Sequence, residues 1–412
     1  MPELLSTCVA ACLVLMFGWQ CYVVLYGVRR LRRPLSPLIE DHEAPRVLVV
    51  LCLRGGDPFL SRSLKLLINQ DYPEFLLRIV VDSAADNAHR YLREAFGETP
   101  PAHVEICIAE DHHPTCSYKM SAILHGTKSL PEGTALVAFM DGDTVPHSTW
   151  LRELATPIVR DGAGVSMGNR WYVPQTPSLG TMCRFLWNCS AVPVMTLLDI
   201  PWGGTMAVRA DLIQDEECRR RIRHAYGEDT TIGQFAKDRG EQIAFPPTLL
   251  ILNQEDISVR QFFTFDLRQL VAVRVSHRGW PLLATFGLTS TFVMSYPVWR
   301  IFGLNVAWWV DVLFVFGFLL TRWAGAGLGT AVRSVFATRG EKINVWSQPR
   351  SLQFAVLSGL LIAPLHFIAV LRAWTLRHIS WRGVHYRIGG NPPVQVERDD
   401  WVTDHRTKHA PA

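Results

Sequence analysis

Ala135-Leu136-Val137-Ala138-Phe139-Met140-Asp141-Gly142-Asp143 is the stretch on which the fold of this chain turns. The six apolar residues read as a buried strand, and side chains alternate along a strand with period two. Asp141 and Asp143 therefore point the same way at its carboxyl end. Two aligned carboxylates suit a hard divalent cation, which completes its shell with phosphate oxygens and water. An isolated Asp-x-Asp is a weak signal, so the flanking sequence has to supply the context.

Working outward, residues 46–53 form another buried-strand run, ended by a Gly55-Gly56 turn. Asp57 and Pro58 read as N-cap and first residue of a helix reaching about Gln70, which Asp71-Tyr72-Pro73 breaks. A strand at 77–81 ends on Asp82, and a helix through about Phe96, a strand at 104–109 and a helix near 118–127 follow. Such alternation predicts an α/β fold with a doubly wound, mainly parallel sheet. Ligands of that architecture bind beyond the carboxyl ends of strands, where Asp82, Asp141 and Asp143 all fall. For Asp82 the alternative reading is a plain helix N-cap.

The 412 residues are 49% hydrophobic, which leans toward a membrane protein. Residues 4–28 carry no charge and exceed the ~20 residues that one spanning helix needs. Arg29, Arg30, Arg32 and Arg33 follow, which predicts a cytoplasmic face there. A signal peptide would carry its charges before the apolar run, so an uncleaved anchor is expected. Three later apolar stretches read as spans: 279–299, 301–321 with Asp311, and 351–371 with Pro364 and His366. An ionisable group in mid-span is costly, so Asp311 is expected to face the helical cluster near Trp308 or Trp309, or the span to be shorter.

The predicted organisation is thus an anchor with its basic flank at 1–33 and a cytoplasmic catalytic domain at 34–257. An interfacial amphipathic helix at 258–278, three transmembrane segments at 279–372 and a basic, polar tail at 373–412 complete it. The loop at 322–350 and the tail are both basic and both read as cytoplasmic, yet one span separates them. Nine cysteines without a CxxC pair fit reduced thiols facing the cytosol. A net charge of +4 gathers at membrane borders and speaks against a nucleic-acid partner.

Six segments then appear in order: Ile68-Asn69-Gln70-Asp71-Tyr72-Pro73, Val81-Asp82-Ser83, Lys119, Asp141-Gly142-Asp143, Gly203-Gly204-Thr205-Met206 and Gly227-Glu228-Asp229. Over about residues 45–275 this series resembles the family 2 glycosyltransferases and their ceramide glucosyltransferase-like membrane group. The resemblance implies a sheet of the nucleotide-diphospho-sugar transferase type. It also implies inverting transfer of a single sugar from a UDP-sugar to a lipid acceptor, ceramide or similar, at the bilayer. The alternatives are a polysaccharide synthase of the cellulose, hyaluronan or chitin type and a catalytically silent nucleotide-sugar-binding membrane protein.

Such a transfer requires a held nucleotide, a neutralised diphosphate and a deprotonated acceptor hydroxyl. The resemblance assigns Asp82 to the base or ribose, Lys119 to the nucleotide, and Asp143 to a divalent cation (Mg2+ or Mn2+). Asp141 supports that cation or contacts the ribose. Asp229 is the expected general base, with a mere cap of the following helix (residues 231–237) as the alternative. Trp202, Gly203 and Gly204 read as an acceptor-side surface, or as a tight turn beside a core tryptophan.

The chain departs from the Q/R-x-x-R-W signature of the group. Phe265 and Arg268 fall on its first and fourth positions, and Gln269 replaces the tryptophan. A shifted register puts Gln261 first and loses the arginine to Thr264. Arg268 is the expected diphosphate contact, and the missing tryptophan argues against a polymeric product. Residues 259–277 are amphipathic and suit a helix lying in the interface.

Overall fold

The computed structural model describes residues 2–33, 36–57, 59–109, 111–343 and 351–400. Twelve strands appear in these segments. They are β1 (Val47–Leu53), β2 (Phe75–Val81), β3 (Val104–Ile108), β4 (Leu136–Met140), β5 (Val165–Met167) and β6 (Asn169–Tyr172). The rest are β7 (Thr205–Arg209), β8 (Ile243–Ala244), β9 (Leu250–Asn253), β10 (His378–Trp381), β11 (Val384–Ile388) and β12 (Val394–Asp399). The main sheet runs β3-β2-β1-β4-β7-β5-β8, with β7 antiparallel to both neighbours and the other pairs parallel. β6 and β9 pair in parallel beside it, and β10–β12 form a separate antiparallel sheet.

Period-two alternation builds the core. Val47, Val49, Leu51 and Leu53 pack with helices Leu60–Leu67 and Trp150–Asp161 on one face. Leu48 and Val50 pack with helix Tyr118–Gly126 on the other. A Cβ on Gly126 would lie 3.0 Å from Val50 and 2.9 Å from Val80, so only glycine lets that helix approach so closely.

Two local expectations fail near β1 and β2. The helix after β1 begins only at Leu60, where the Asp57 carboxylate is taken by the guanidinium of Arg382 instead of capping backbone N–H groups, and it ends at Leu67, short of Gln70. Pro58 lies outside the described residues. After β2 the helix starts at Ala88, and Asp86 accepts its N–H at 2.7 Å, so Asp82 does not serve as a cap.

Among the described residues three helices are long and apolar enough to cross a membrane: Glu3–Leu31, Trp308–Ala337 and Gln353–Thr375. The first two pack in parallel, from Ser6 beside Ala307 through Phe17 against Gly317 to Gly27 against Leu328. Their carboxyl ends meet the catalytic domain, where Arg30 donates to the Phe245 carbonyl and Arg339 to those of Thr248 and Leu250. The stretch expected as one span at 279–299 is instead a 15-residue helix, Trp280–Met294, followed by Tyr296–Ile301. The next helix starts at Trp308, so Asp311 lies in its first turn and pairs with Arg300 at 2.9 Å and the Tyr296 hydroxyl at 2.6 Å. The pairing with Arg300 replaces the expected neighbours, and the expected mid-span position is corrected to a helix end.

Helix Ser351–Thr375 behaves differently from the other two. Its early residues Phe354 and Ala355 pack with Val332, Val335 and Phe336, at the catalytic-domain end of Trp308–Ala337. Its last turn is capped by Arg274, which donates to the carbonyls of Ala373, Trp374 and Leu376. The following sheet β10–β12 then docks on the catalytic domain, with Val396 N–H on the Pro114 carbonyl. Both flanks of this helix therefore sit on the same side of the molecule.

Candidate active site

The carboxyl ends of β1, β2 and β4 form one crevice, and the charges there fall into two groups. At the end of β4, Lys119 Nζ lies 2.5 Å from Asp141 Oδ1 and 2.5 Å from Glu228 Oε1. Arg170, on β6, grips both oxygens of Asp143 at 2.7 and 2.9 Å and approaches Asp141 at 3.5 Å. Burial disfavours the Lys119 ammonium, yet the two carboxylates outweigh it and raise its pKa. Burial likewise opposes ionisation of Asp141, but Lys119 and Arg170 hold its pKa below the usual range. For Glu228 burial wins, aided by Asp229 and Asp141, and its pKa is raised.

Glycines 203 and 204 serve this packing. A Cβ on Gly203 would lie 1.9 Å from Glu228 Oε1, and one on Gly204 would lie 1.9 Å from the Trp202 ring. The Trp202 ring in turn carries the Arg170 guanidinium 4.6 Å from its centroid. Asp229 is in the first turn of helix Glu228–Asp238, which begins earlier than residue 231. Its Oδ2 accepts the Gly203 N–H at 3.0 Å and its Oδ1 the Thr230 N–H at 2.6 Å. Glu228 is 2% exposed whereas Asp229 is only half-buried, so of the two adjacent carboxylates Asp229 is the accessible one.

Arg268 lies on helix Val259–Ser276, close enough to Asp141 to lower its pKa, and makes no hydrogen bond or ion pair among the described residues. Phe265 packs edge-on against Tyr172 and Trp187, so the register with Phe265 first is the one that brings its arginine to the crevice.

The second group sits at the ends of β1 and β2. Arg54 pairs with Asp82 and, at 2.6 Å, with Asp399 of β12. His112 Nε2 faces the other Asp82 oxygen at 3.4 Å and stacks on Tyr118 with centroids 3.7 Å apart. Burial pushes Asp82 up to about 6, against the pull of Arg54, and holds His112 down to about 4. Asp82 thus stands at the crevice, as expected, but turns its oxygens to the protein.

Sequence reading gave no role to Arg170 or Arg54; Glu228 entered only within the Gly227-Glu228-Asp229 segment, and Arg382 only as one of the basic residues of the tail. Arg170 carried one signal, a cation directly before the short apolar run Trp171-Tyr172-Val173. Among the described residues no three His, Cys, Asp or Glu side chains gather as a metal cage. The donors fit a cation that shares its shell with a diphosphate: Asp143 is one-third exposed, and a guanidinium already stands on both of its oxygens.

A mainly parallel sheet with helices on both faces and paired carboxylates beyond β4 is the build of a nucleotide-sugar transferase. The chain is similar in fold to the mannosyltransferase PcManGT from Pyrobaculum calidifontis, solved with GDP-Man and Mn2+. The match has a TM-score of 0.51 at 14% identity, over 90% of this chain and 99% of that one. It is also similar to glucosyl-3-phosphoglycerate synthase from Mycobacterium tuberculosis, solved with Mn2+, UDP and glucosyl-3-phosphoglycerate. Here the TM-score is 0.39 at 10% identity, over 58% of this chain and 86% of that one. No curated protein matches in sequence. The profile of glycosyl transferase family 21 matches residues 5–394, and the chain belongs to that family. It is a glycosyltransferase.

Proposed function

We propose that this glycosyltransferase moves one sugar from a UDP-sugar to a hydroxyl of a membrane lipid, ceramide or a similar long-chain acceptor, with inversion. One observation carries the reading. The cations Lys119, Arg170 and Arg268 converge on the Asp141/Asp143 end of β4, where helix Val259–Ser276 joins the crevice to the apolar helices. A diphosphate and a lipid hydroxyl would meet there.

Arg268, with no ion pair among the described residues, can take a phosphate oxygen, and Lys119 balances charge behind Asp141. A divalent cation, Mg2+ or Mn2+, held by Asp143 with Asp141 beside it would supply further neutralisation of the departing diphosphate. Asp229 takes the acceptor proton, since its Oδ2 keeps a lone pair beyond the Gly203 hydrogen bond. Trp202, fixed over Gly204 and under Arg170, lines the acceptor side. Asp229 is the accessible member of the Glu228–Asp229 pair, and Asp141 and Asp143 are engaged by Lys119 and Arg170, which favours direct displacement over a covalent intermediate.

Helices Glu3–Leu31 and Trp308–Ala337 would cross the bilayer, with Trp280–Ile301 as the return path between them. Ser351–Thr375 would lie in the interface beside Val259–Ser276, which removes the conflict between two basic segments flanking one span. The catalytic domain and the tail then share the cytoplasmic face. Cysteines placed at Gly303 and at Gly390 should be labelled by an impermeant thiol reagent from opposite sides of sealed vesicles. Labelling of both from one side would refute this topology.

The functional test is incubation of the purified enzyme, in lipid with ceramide, with radiolabelled UDP-glucose, UDP-galactose or GDP-mannose. A labelled lipid carrying one sugar from a UDP donor is the expected product. A polymer ladder, or transfer from GDP-mannose alone, would overturn the proposal.

A further inference from the structure

The sheet β10–β12 lies at the end of the described chain, and nothing in the transfer reaction above uses it. Apolar packing already fixes it in place: Val384, Tyr386, Ile388 and Val394 are fully buried in one cluster with Tyr118 and Val271. Its hairpin tip does something beyond docking. Arg382 and Gly383 form the two-residue turn between β10 and β11, with φ of 49° and 79°. The left-handed conformation is unfavourable for a residue with a Cβ. The guanidinium of the arginine held there lies 5.6 Å from the centroid of the Trp381 ring and reaches the loop after β1.

The contacts at that loop are reciprocal. Arg382 Nη2 donates to both Asp57 oxygens at 2.7 and 2.8 Å, and Nη1 donates to the Arg54 carbonyl. Arg54 Nε donates back to the Arg382 carbonyl at 2.9 Å, and its guanidinium joins Asp82 to Asp399. Asp57 Oδ2 lies 3.3 Å from the position a Cβ on Gly142 would take, so the clamped loop abuts the Asp141-Gly142-Asp143 turn. Partly buried ion pairs add little net stability, and the apolar cluster already holds the sheet. The pair therefore fixes a geometry more than it fixes the fold.

We infer that Arg382 is a positioning residue for the donor: it holds the 54–57 loop against the carboxyl end of β4, so that a nucleoside diphosphate meets a preformed crevice. This rests on the reading of that crevice as the donor site. A preorganised loop lowers the ordering cost of binding, so its loss should appear in affinity before turnover.

The test uses the full-length enzyme in detergent, with UDP and Mg2+ as the binding probe and sugar transfer as the second readout. Arg382→Ala should raise the Kd for UDP and the donor KM about tenfold with kcat nearly unchanged, a coupling of ordinary size. Arg382→Lys should recover most of that affinity. Asp57→Asn should weaken binding similarly, and the double variant should be no worse than either single one, as expected for two halves of one contact. Unchanged UDP affinity in a folded Arg382→Ala or Asp57→Asn enzyme would overturn the inference. Tighter binding would overturn it too, because the hairpin would then be a plug. If the wild type transfers sugar from no nucleotide donor, the proposed function falls and this inference with it. If the wild type binds and transfers while the variants match it, only this inference falls.

Discussion

The two halves of the crevice are built from the same materials and behave in opposite ways. At the end of β4 the side chains of Asp141, Asp143 and Lys119 are 27%, 34% and 21% exposed, and their ion pairs face the opening. At the ends of β1 and β2 the Arg54, Asp82 and Asp399 side chains are 5%, 8% and 7% exposed. Partly exposed pairs exchange partners at less cost than sealed ones, where breaking a pair strands a charge. The open half is thus suited to trading guanidinium contacts for a diphosphate, and the sealed half to holding shape. Substitutions in the open half should change transfer, and those in the sealed half should change folding and its pH dependence.

The sharpest test of that contrast is Asp229→Asn. The change is nearly isosteric and leaves an oxygen to accept the Gly203 N–H, but it removes the base. Turnover should fall by ~10²-fold or more while UDP affinity is kept, the usual scale of general-base catalysis. Parallel loss of binding, measured by calorimetry, would make Asp229 a structural residue of the Gly203 turn.

A smaller effect on turnover, but a larger one on donor binding, is expected for Asp143→Ala. It removes a ligand for the proposed cation and frees Arg170 from its bidentate pair. Chelation of divalent ions should reproduce the loss in the wild type and add nothing to the variant. Full transfer by the exhaustively chelated wild type would remove the cation from the scheme.

Much of the open half was legible in the sequence, because its parts come from strand ends and one helix turn. Continuous apolar runs marked β1 and β4 as buried strands, and a carboxylate at a strand end has few places to point. The register of Arg268 followed from one motif. The sealed half was not legible, since Arg54 and Asp399 are brought together only by tertiary folding across the whole chain. Arg170 was hidden by its strand, which pairs with β9 outside the main sheet. Apolarity also could not show that both flanks of Ser351–Thr375, a helix long and apolar enough to cross a membrane, pack on the same domain. Likewise Asp311 looked like a charge in mid-span until Arg300 and the helix start at Trp308 set it at an end.

The sealed half yields the smallest and most specific prediction, through Asp82. Burial raises its folded pKa to about 6, above the ordinary aspartate value of 3.8, with Arg54 only partly compensating. Between those two values Asp82 binds more protons in the folded enzyme than in the unfolded chain, so its own contribution to stability falls as pH rises through the window and levels off above it. His112, held down to about 4, contributes the opposite slope in the wild type and in an Asp82→Asn variant alike. Below pH 4 the carboxyl is protonated in both states and this penalty is absent. A shift of about two units is worth roughly 3 kcal/mol at most, and relaxation around the site will reduce it. Asp82→Asn removes the titration but keeps an acceptor for Arg54. Its thermal midpoint should therefore gain on that of the wild type as pH goes from 4 to 6 and hold that gain at higher pH. An unchanged difference across that range would mean that Arg54 fully compensates the buried charge, and that the sealed half is less tense than its burial implies.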